Sequence, residues 1–347
     1  MAQPAYDTND LPFVEASVNY VVDNGIKPVT YISPYGESNR RDETPDHRTV
    51  PIYDGRTIAE QLTLDDNGFE FHNSPTAVTD FMDSAQIETV YNAEVEKIVA
   101  AATGAPRVLV FDHTLRVEDA EARKMKKLRE PVRVVHNDYT DLSGPQRVRD
   151  LLPPNEADTA LKKRYVYINV WRSISGAVEE APLGICDAQS IAEGDMILMD
   201  LKYDDRVGEI HRTKYNPDHR WVYFPCMQPD ELILLKCFDT ETDGRARMAR
   251  MVGQQRFTEI DRALIRRARE SVVDLSGPHR PGDGWRRQIE RMRLAKLQEM
   301  ALAESLGKGR WRLADHAETD LRRIGERGDI IKAMHRAMRD KGVARTL

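Results

Sequence analysis

His136 and Asp138, one residue apart in Pro131-Val132-Arg133-Val134-Val135-His136-Asn137-Asp138-Tyr139-Thr140, are the side chains best placed to do chemistry together. In a strand, residues two apart project from the same face, so an imidazole and a carboxylate converge while Asn137 points away. Both groups are donors that a first-row transition metal accepts. The competing assignment is a hydrogen-bonded structural pair, which the spacing alone does not exclude.

The β-branched run that carries the pair alternates with polar residues, as a strand edge should. Upstream, Val78, Phe81, Met82, Ile87, Val90, Tyr91, Val95, Ile98 and Val99 recur at helical spacing up to Gly104, predicting one or two helices packed on a sheet. Arg107 to Arg116 then reads as a buried strand in which His113 takes a structural hydrogen bond. Downstream, strands are predicted at 165–172, 196–201, 221–224 and 231–238, separated by Gly, Pro and Asp turns without long helices between them. That order indicates an antiparallel roll or barrel, not a parallel α/β sheet. Residues 285–306, 313–324 and 330–338 carry apolar positions at helical spacing among mixed Arg and Glu, predicting a solvated helical C-terminal extension.

Composition narrows the function classes. The 347-residue chain has a net charge of −6, so it carries no overall nucleic-acid footprint. Its three cysteines, Cys186, Cys226 and Cys237, have no metal-type spacing and cannot all pair internally, which points to a reducing compartment. No basic-apolar leader and no run of about 18 apolar residues is present, so the expectation is a cytoplasmic protein without a membrane role. There is no Gly-rich phosphate loop, no Gly-x-Ser-x-Gly elbow and no Cys-x-x-Cys.

Several segments together carry a resemblance. Glu94-Val95-Glu96-Lys97-Ile98, Val110-Phe111-Asp112-His113-Thr114, His136-Asn137-Asp138-Tyr139-Thr140, Asn169-Val170-Trp171-Arg172, Ala181-Pro182-Leu183-Gly184-Ile185-Cys186-Asp187 and His219-Arg220-Trp221-Val222-Tyr223-Phe224 occur in order. So do Pro229-Asp230-Glu231-Leu232 and Leu234-Leu235-Lys236-Cys237-Phe238-Asp239. From about residue 65 to 247 the chain resembles the hydroxylase/desaturase family that includes the cephamycin 7α-methoxylation component. The resemblance implies a mainly β fold with flanking helices, built on a double-stranded β-helix (jelly-roll) core. It also implies a non-haem Fe(II), 2-oxoglutarate-dependent oxygenase that uses dioxygen to hydroxylate or desaturate a small molecule of secondary metabolism. His136 and Asp138 then become metal ligands.

The resemblance breaks at the third ligand. The family continues past Asp-Gly-x-Ala-Arg, present here as Asp243-Gly244-Arg245-Ala246-Arg247, into a Pro-His-x-x-Phe segment and an Arg-Glu-Ser strand. Aligning on Phe257 puts Gln254 where the family's His belongs, while Arg269-Glu270-Ser271 keeps the arginine that would clamp 2-oxoglutarate. His219 is the candidate that would complete the metal set. His211, Gln254 or no third ligand are the alternatives, and Arg172 and Arg116 are further candidates for an anionic partner. The expected layout is an N-terminal arm with short strands at 1–64, an oxygenase-like domain at 65–275 and a helical extension at 276–347, a candidate surface for homo-oligomer formation. The alternative function is a catalytically silent relative acting as a ligand-binding or scaffold protein.

Overall fold

The computed structural model describes residues 6–253, except 10, 33–39, 118–127, 130, 179–181 and 205, and beyond them residues 273–274, 303–307 and 310–313. The chain forms two compact units, residues 1–255 and 256–347.

The first unit is mainly β. Its larger sheet has ten strands among the described residues: β1 (Phe13–Val21), β2 (Val29–Tyr31), β3 (Arg40–Arg41), β4 (Pro45–Asp54), β6 (His136–Asn137), β8 (Leu183–Cys186), β9 (Met196–Lys202), β10 (Val207–Thr213), β11 (Trp221–Tyr223) and β13 (Arg250–Gly253), in the spatial order β1-β4-β11-β8-β13-β6-β10-β9-β2-β3. Most neighbours run antiparallel, as the turn-rich sequence predicts; β4 with β11 and β2 with β9 are parallel. The N-terminal strands are thus built into the sheet that holds His136. The smaller sheet is β5 (Phe69–Asn73), β12 (Glu231–Asp239) and β7 (Val166–Arg172), with β12 central and antiparallel to both neighbours.

Period-two alternation sorts β7 into two faces. Tyr167 and Trp171 join the core between the sheets, with Phe69, Ile185, Val222, Phe224, Ile233, Leu235 and Met251. Ile168 and Val170 face the other way with Leu232 and Leu234, and there they meet Val95 and Val99 of helix α1 (Asn92–Thr103). Burying each of those valines contributes about 1.5–3 kcal/mol. The helix follows directly from a broader turn with i→i+5 hydrogen bonds at Ile87–Tyr91 and ends at Gly104, whose φ of 67° suits the left-handed cap. Two short helices, α2 (Ser143–Leu151) and α3 (Pro154–Ala160), follow the His136 strand.

Two expectations are corrected. Residues 107–115 form no strand, and Leu109 and Phe111 are exposed, so the apolar alternation there covers a surface instead of entering a sheet. Residues 303–306, predicted helical, lie in strand β15 (Ala303–Gly307), which pairs with β16 (Arg310–Leu313), itself beside β14 (Val273–Asp274). Gly-Lys-Gly between two short alternating runs favours a hairpin over a helix. The rest of the predicted C-terminal helices lies outside the described residues. Among the described residues, no helix is long and apolar enough to cross a membrane.

Candidate metal centre

His136 sits on β6 between β10 and β13, opposite Arg212 and Met251. The strand is only two residues long, and the chain bends at Asp138. Val135 N–H donates to the Asn19 carbonyl of β1, which fixes the approach to the pair.

Two hydrogen bonds define the donor atoms. His136 Nδ1 lies 2.9 Å from the Val134 carbonyl, an acceptor only, so Nδ1 carries the proton and Nε2 keeps its lone pair. Nε2 faces Asp138 Oδ1 at 3.6 Å. Asp138 Oδ2 is occupied by Asn169 Nδ2 at 2.7 Å, with the Cys237 thiol 3.9 Å away. Two donors each about 2.1 Å from one ion at right angles lie about 3 Å apart, so Nε2 and Oδ1 are spaced to share a metal after a small adjustment.

Burial lowers the His136 pKa; the Asp138 charge opposes that shift, and Arg212 and Arg116 reinforce it. The imidazole is therefore neutral at pH 7, the form that coordinates. Asp138 is 36% exposed against 9% for His136, so the pair opens to solvent on the carboxylate side. Next in the chain, Tyr139 stacks on Tyr167 at 4.2 Å, Phe111 packs edge-on to Tyr167, and the Arg147 guanidinium lies over Phe111. Burial raises Tyr139 to about 12, which keeps its phenol neutral.

The structure does not bring His219 to this pair. Trp221 Nε1 donates to the Tyr20 hydroxyl at 2.7 Å, Tyr20 lies 3.1 Å from His219 Nδ1, and His219 Nε2 lies 3.2 Å from Asp195. A consistent proton order runs Trp221 to Tyr20 to His219 to Asp195, which leaves neither ring nitrogen for a metal. His219, two residues before β11, is instead a buried structural link. Nor is His211 solvent-facing: it is buried opposite Asn137, and its Nδ1 donates to the Tyr139 carbonyl. Among the described residues no group of three His, Cys, Asp or Glu side chains is arranged to hold a metal ion. Arg172 lies on the helix-covered face of β7, where it donates to the Ser74 and Pro229 carbonyls over the Tyr91 ring. Its odd separation from Asn169 turns it away from the pair. His113 accepts the structural role expected, 2.8 Å from Asn92 Oδ1. Gln254 and Arg269 lie outside the described residues. The sequence signal for Asn169 is a single polar side chain between Tyr167 and Trp171 on the inward parity of β7.

Comparison with known proteins agrees with this architecture. Residues 18–273 match the family described as oxidoreductase/YMDC permease-like domain, and the chain belongs to that family. Residues 290–347 match a second family, of unknown function (DUF3363). The chain is 31% identical over 259 residues to the hydroxylase/desaturase CTB9 of Cercospora beticola, covering 68% of this chain and 79% of that protein. It is 28% identical over 231 residues to the alpha-ketoglutarate-dependent dioxygenase tstK of Talaromyces stipitatus, covering 64% and 82%. Among solved structures it is similar to the iron and alpha-ketoglutarate-dependent endoperoxidase NvfI, with a TM-score of 0.62 and 21% identity over 71% of this chain and 91% of that one. That likeness establishes the jelly-roll fold.

Proposed function

We propose that this oxidoreductase is an Fe(II)- and 2-oxoglutarate-dependent oxygenase that hydroxylates or desaturates a small molecule, with His136 and Asp138 as iron ligands. The observation that carries the assignment is the pairing of a lone-pair-bearing Nε2 with a single carboxylate oxygen beside a solvent opening. The relatives named for hydroxylase/desaturase and alpha-ketoglutarate-dependent dioxygenase activity support the same chemistry. The narrower kinship to the cephamycin 7α-methoxylation component rests on the sequence motifs alone.

The residues present fit two of the three protein positions of a 2-His-1-carboxylate iron site. Iron bound there, with 2-oxoglutarate, supplies the dioxygen-dependent oxidation. The protein's part is positional. The Val134 carbonyl fixes the His136 tautomer and ring plane, and the Asn169 amide fixes Asp138. Next along the chain, Tyr139 stacks on Tyr167 with Phe111 edge-on, an aromatic group that anchors the segment following Asp138 to the core. Arg269 is the proposed partner of the 2-oxoglutarate carboxylate, since Arg172 is occupied on the far face of its strand. We also keep 276–347 as an appendage to this chemistry, outside the region that resembles the hydroxylases.

Anaerobic Fe(II) titration tests the proposal. It predicts one ion per chain and a 2-oxoglutarate-dependent metal-to-ligand absorption band; an absent band overturns it. A second function, a silent relative that binds ligands or partners without turnover, is favoured by one observation: glutamine stands where the family's third imidazole belongs.

A further inference from the structure

We infer that Asn169 is the positioning residue of the metal pair, holding one oxygen of Asp138 so that the other alone is presented beside His136. The inference rests on the reading that His136 and Asp138 hold iron. Asn169 Nδ2 donates to Asp138 Oδ2 at 2.7 Å, while Oδ1 remains 3.6 Å from His136 Nε2. The two carboxylate oxygens are therefore unequal before any metal arrives. The bond also spans the core: Asn169 belongs to the smaller sheet, and Asp138 directly follows β6 of the larger one.

The chemistry of the amide suits this task. A lysine or arginine at this position would form an ion pair with the ligand and weaken its hold on a cation. A neutral donor orients the carboxylate without cancelling its charge. The Asp138 side chain is 36% exposed, and its second neighbour, the Cys237 thiol, is a weak donor at 3.9 Å. Asn169 is itself tethered, with Met251 Sδ 4.0 Å from the same nitrogen and Met251 paired across the sheet with His136. The amide thus meets both the carboxylate and the thioether of a residue whose backbone pairs with that of His136.

Cobalt(II) titration of the full chain, followed by its visible d–d spectrum without dioxygen or turnover, tests the role. Asn169→Leu removes the donor at similar side-chain size, and Asn169→Ala removes it without adding charge or a new ligand atom. Both variants are expected to bind Co(II) about 10- to 100-fold more weakly than wild type, with a changed band shape. If one variant fails to fold, the other decides. A folded variant with wild-type affinity and spectrum overturns the positioning role, whatever its melting temperature. A wild-type chain that binds no Co(II) overturns the metal reading itself, and the positioning role with it.

Discussion

His136 gives its Nδ1 proton to the Val134 carbonyl, and that bond leaves Nε2 as the only nitrogen able to bind a cation. Removing the imidazole should abolish iron binding while sparing the fold, because the ring is held by its own strand and not by the apolar core. His136→Ala is therefore expected to lower Fe(II) affinity by about a hundredfold or more, beyond the loss typical of an indirect contact, with little change in its far-UV spectrum. Isothermal titration of the wild type and variant checks this, and stoichiometric iron in the variant would refute the ligand assignment. The third position carries its own prediction. Replacing an amide with an imidazole at Gln254 should complete the 2-His-1-carboxylate set, so Gln254→His is expected to bind Fe(II) at least about tenfold more tightly. Equal affinity in the two proteins would separate residue 254 from the metal. The pair itself was readable from its spacing. The distraction of His219 was not, because its partners Tyr20 and Asp195 are 199 and 24 residues away.

At the scale of elements, β12 carries two buried charged residues, Lys236 and Asp239. Asp239 is fully buried and receives hydrogen bonds from Arg164, the Glu241 N–H and Lys236, whose ammonium also meets Asp65. Burial alone would raise the Asp239 pKa; those bonds outweigh it and hold the carboxyl below its ordinary range. A depressed carboxylate contributes stability above its unfolded pKa of about 3.9, and that contribution is lost as pH falls through the lower folded value. Urea midpoints measured from pH 7 to pH 2 should therefore fall below about pH 4. Asp239→Asn should be less stable at pH 7 and show a shallower fall; parallel curves would count against the assignment. Close packing makes a second prediction. A Cβ on Gly55 would lie 2.6 Å from Val222 Cγ1 and 2.8 Å from the Phe224 ring, both buried. Gly55→Ala is expected to destabilise by about 1–3 kcal/mol, read as a lower urea midpoint at unchanged slope. Strand β9 was legible because its alternation coincides with a buried face, and β11 and β12 because they are short apolar runs buried on both faces between turn residues. The segment at 107–115 alternates equally well but finds no neighbouring strand, and no local pattern encodes that absence. The parallel pairing of β4 with β11 joins residues about 170 positions apart and was equally out of reach.

For the whole molecule, the family match at 18–273 and the separate match at 290–347 divide the chain by ancestry. The proposed iron ligands, their hydrogen-bonding partners and Arg269 all precede residue 276. A chain ended after Leu275 is accordingly expected to bind Fe(II) within about twofold of the full-length value, since every group assigned to the ion remains. A tenfold loss would show that 276–347 contributes to the site. Composition had already separated this stretch by its density of Arg and Glu, although the strands at 303–307 and 310–313 escaped it because mixed charge at short range fits helix and hairpin alike.

The Asn169–Asp138 bond joins two sheets that also meet through the Asn137 amide on the Cys237 carbonyl and, over most of their area, through apolar packing. Such packing tolerates small slips, whereas a 2.7 Å hydrogen bond does not. The donor pair thereby works as a gauge of sheet separation: trimming a core residue such as Ile185 or Leu235 would tilt the carboxylate before it unfolded the protein. Lost cation affinity would then be the earliest sign of a loosened interior, even when the altered residue touches none of the donor atoms.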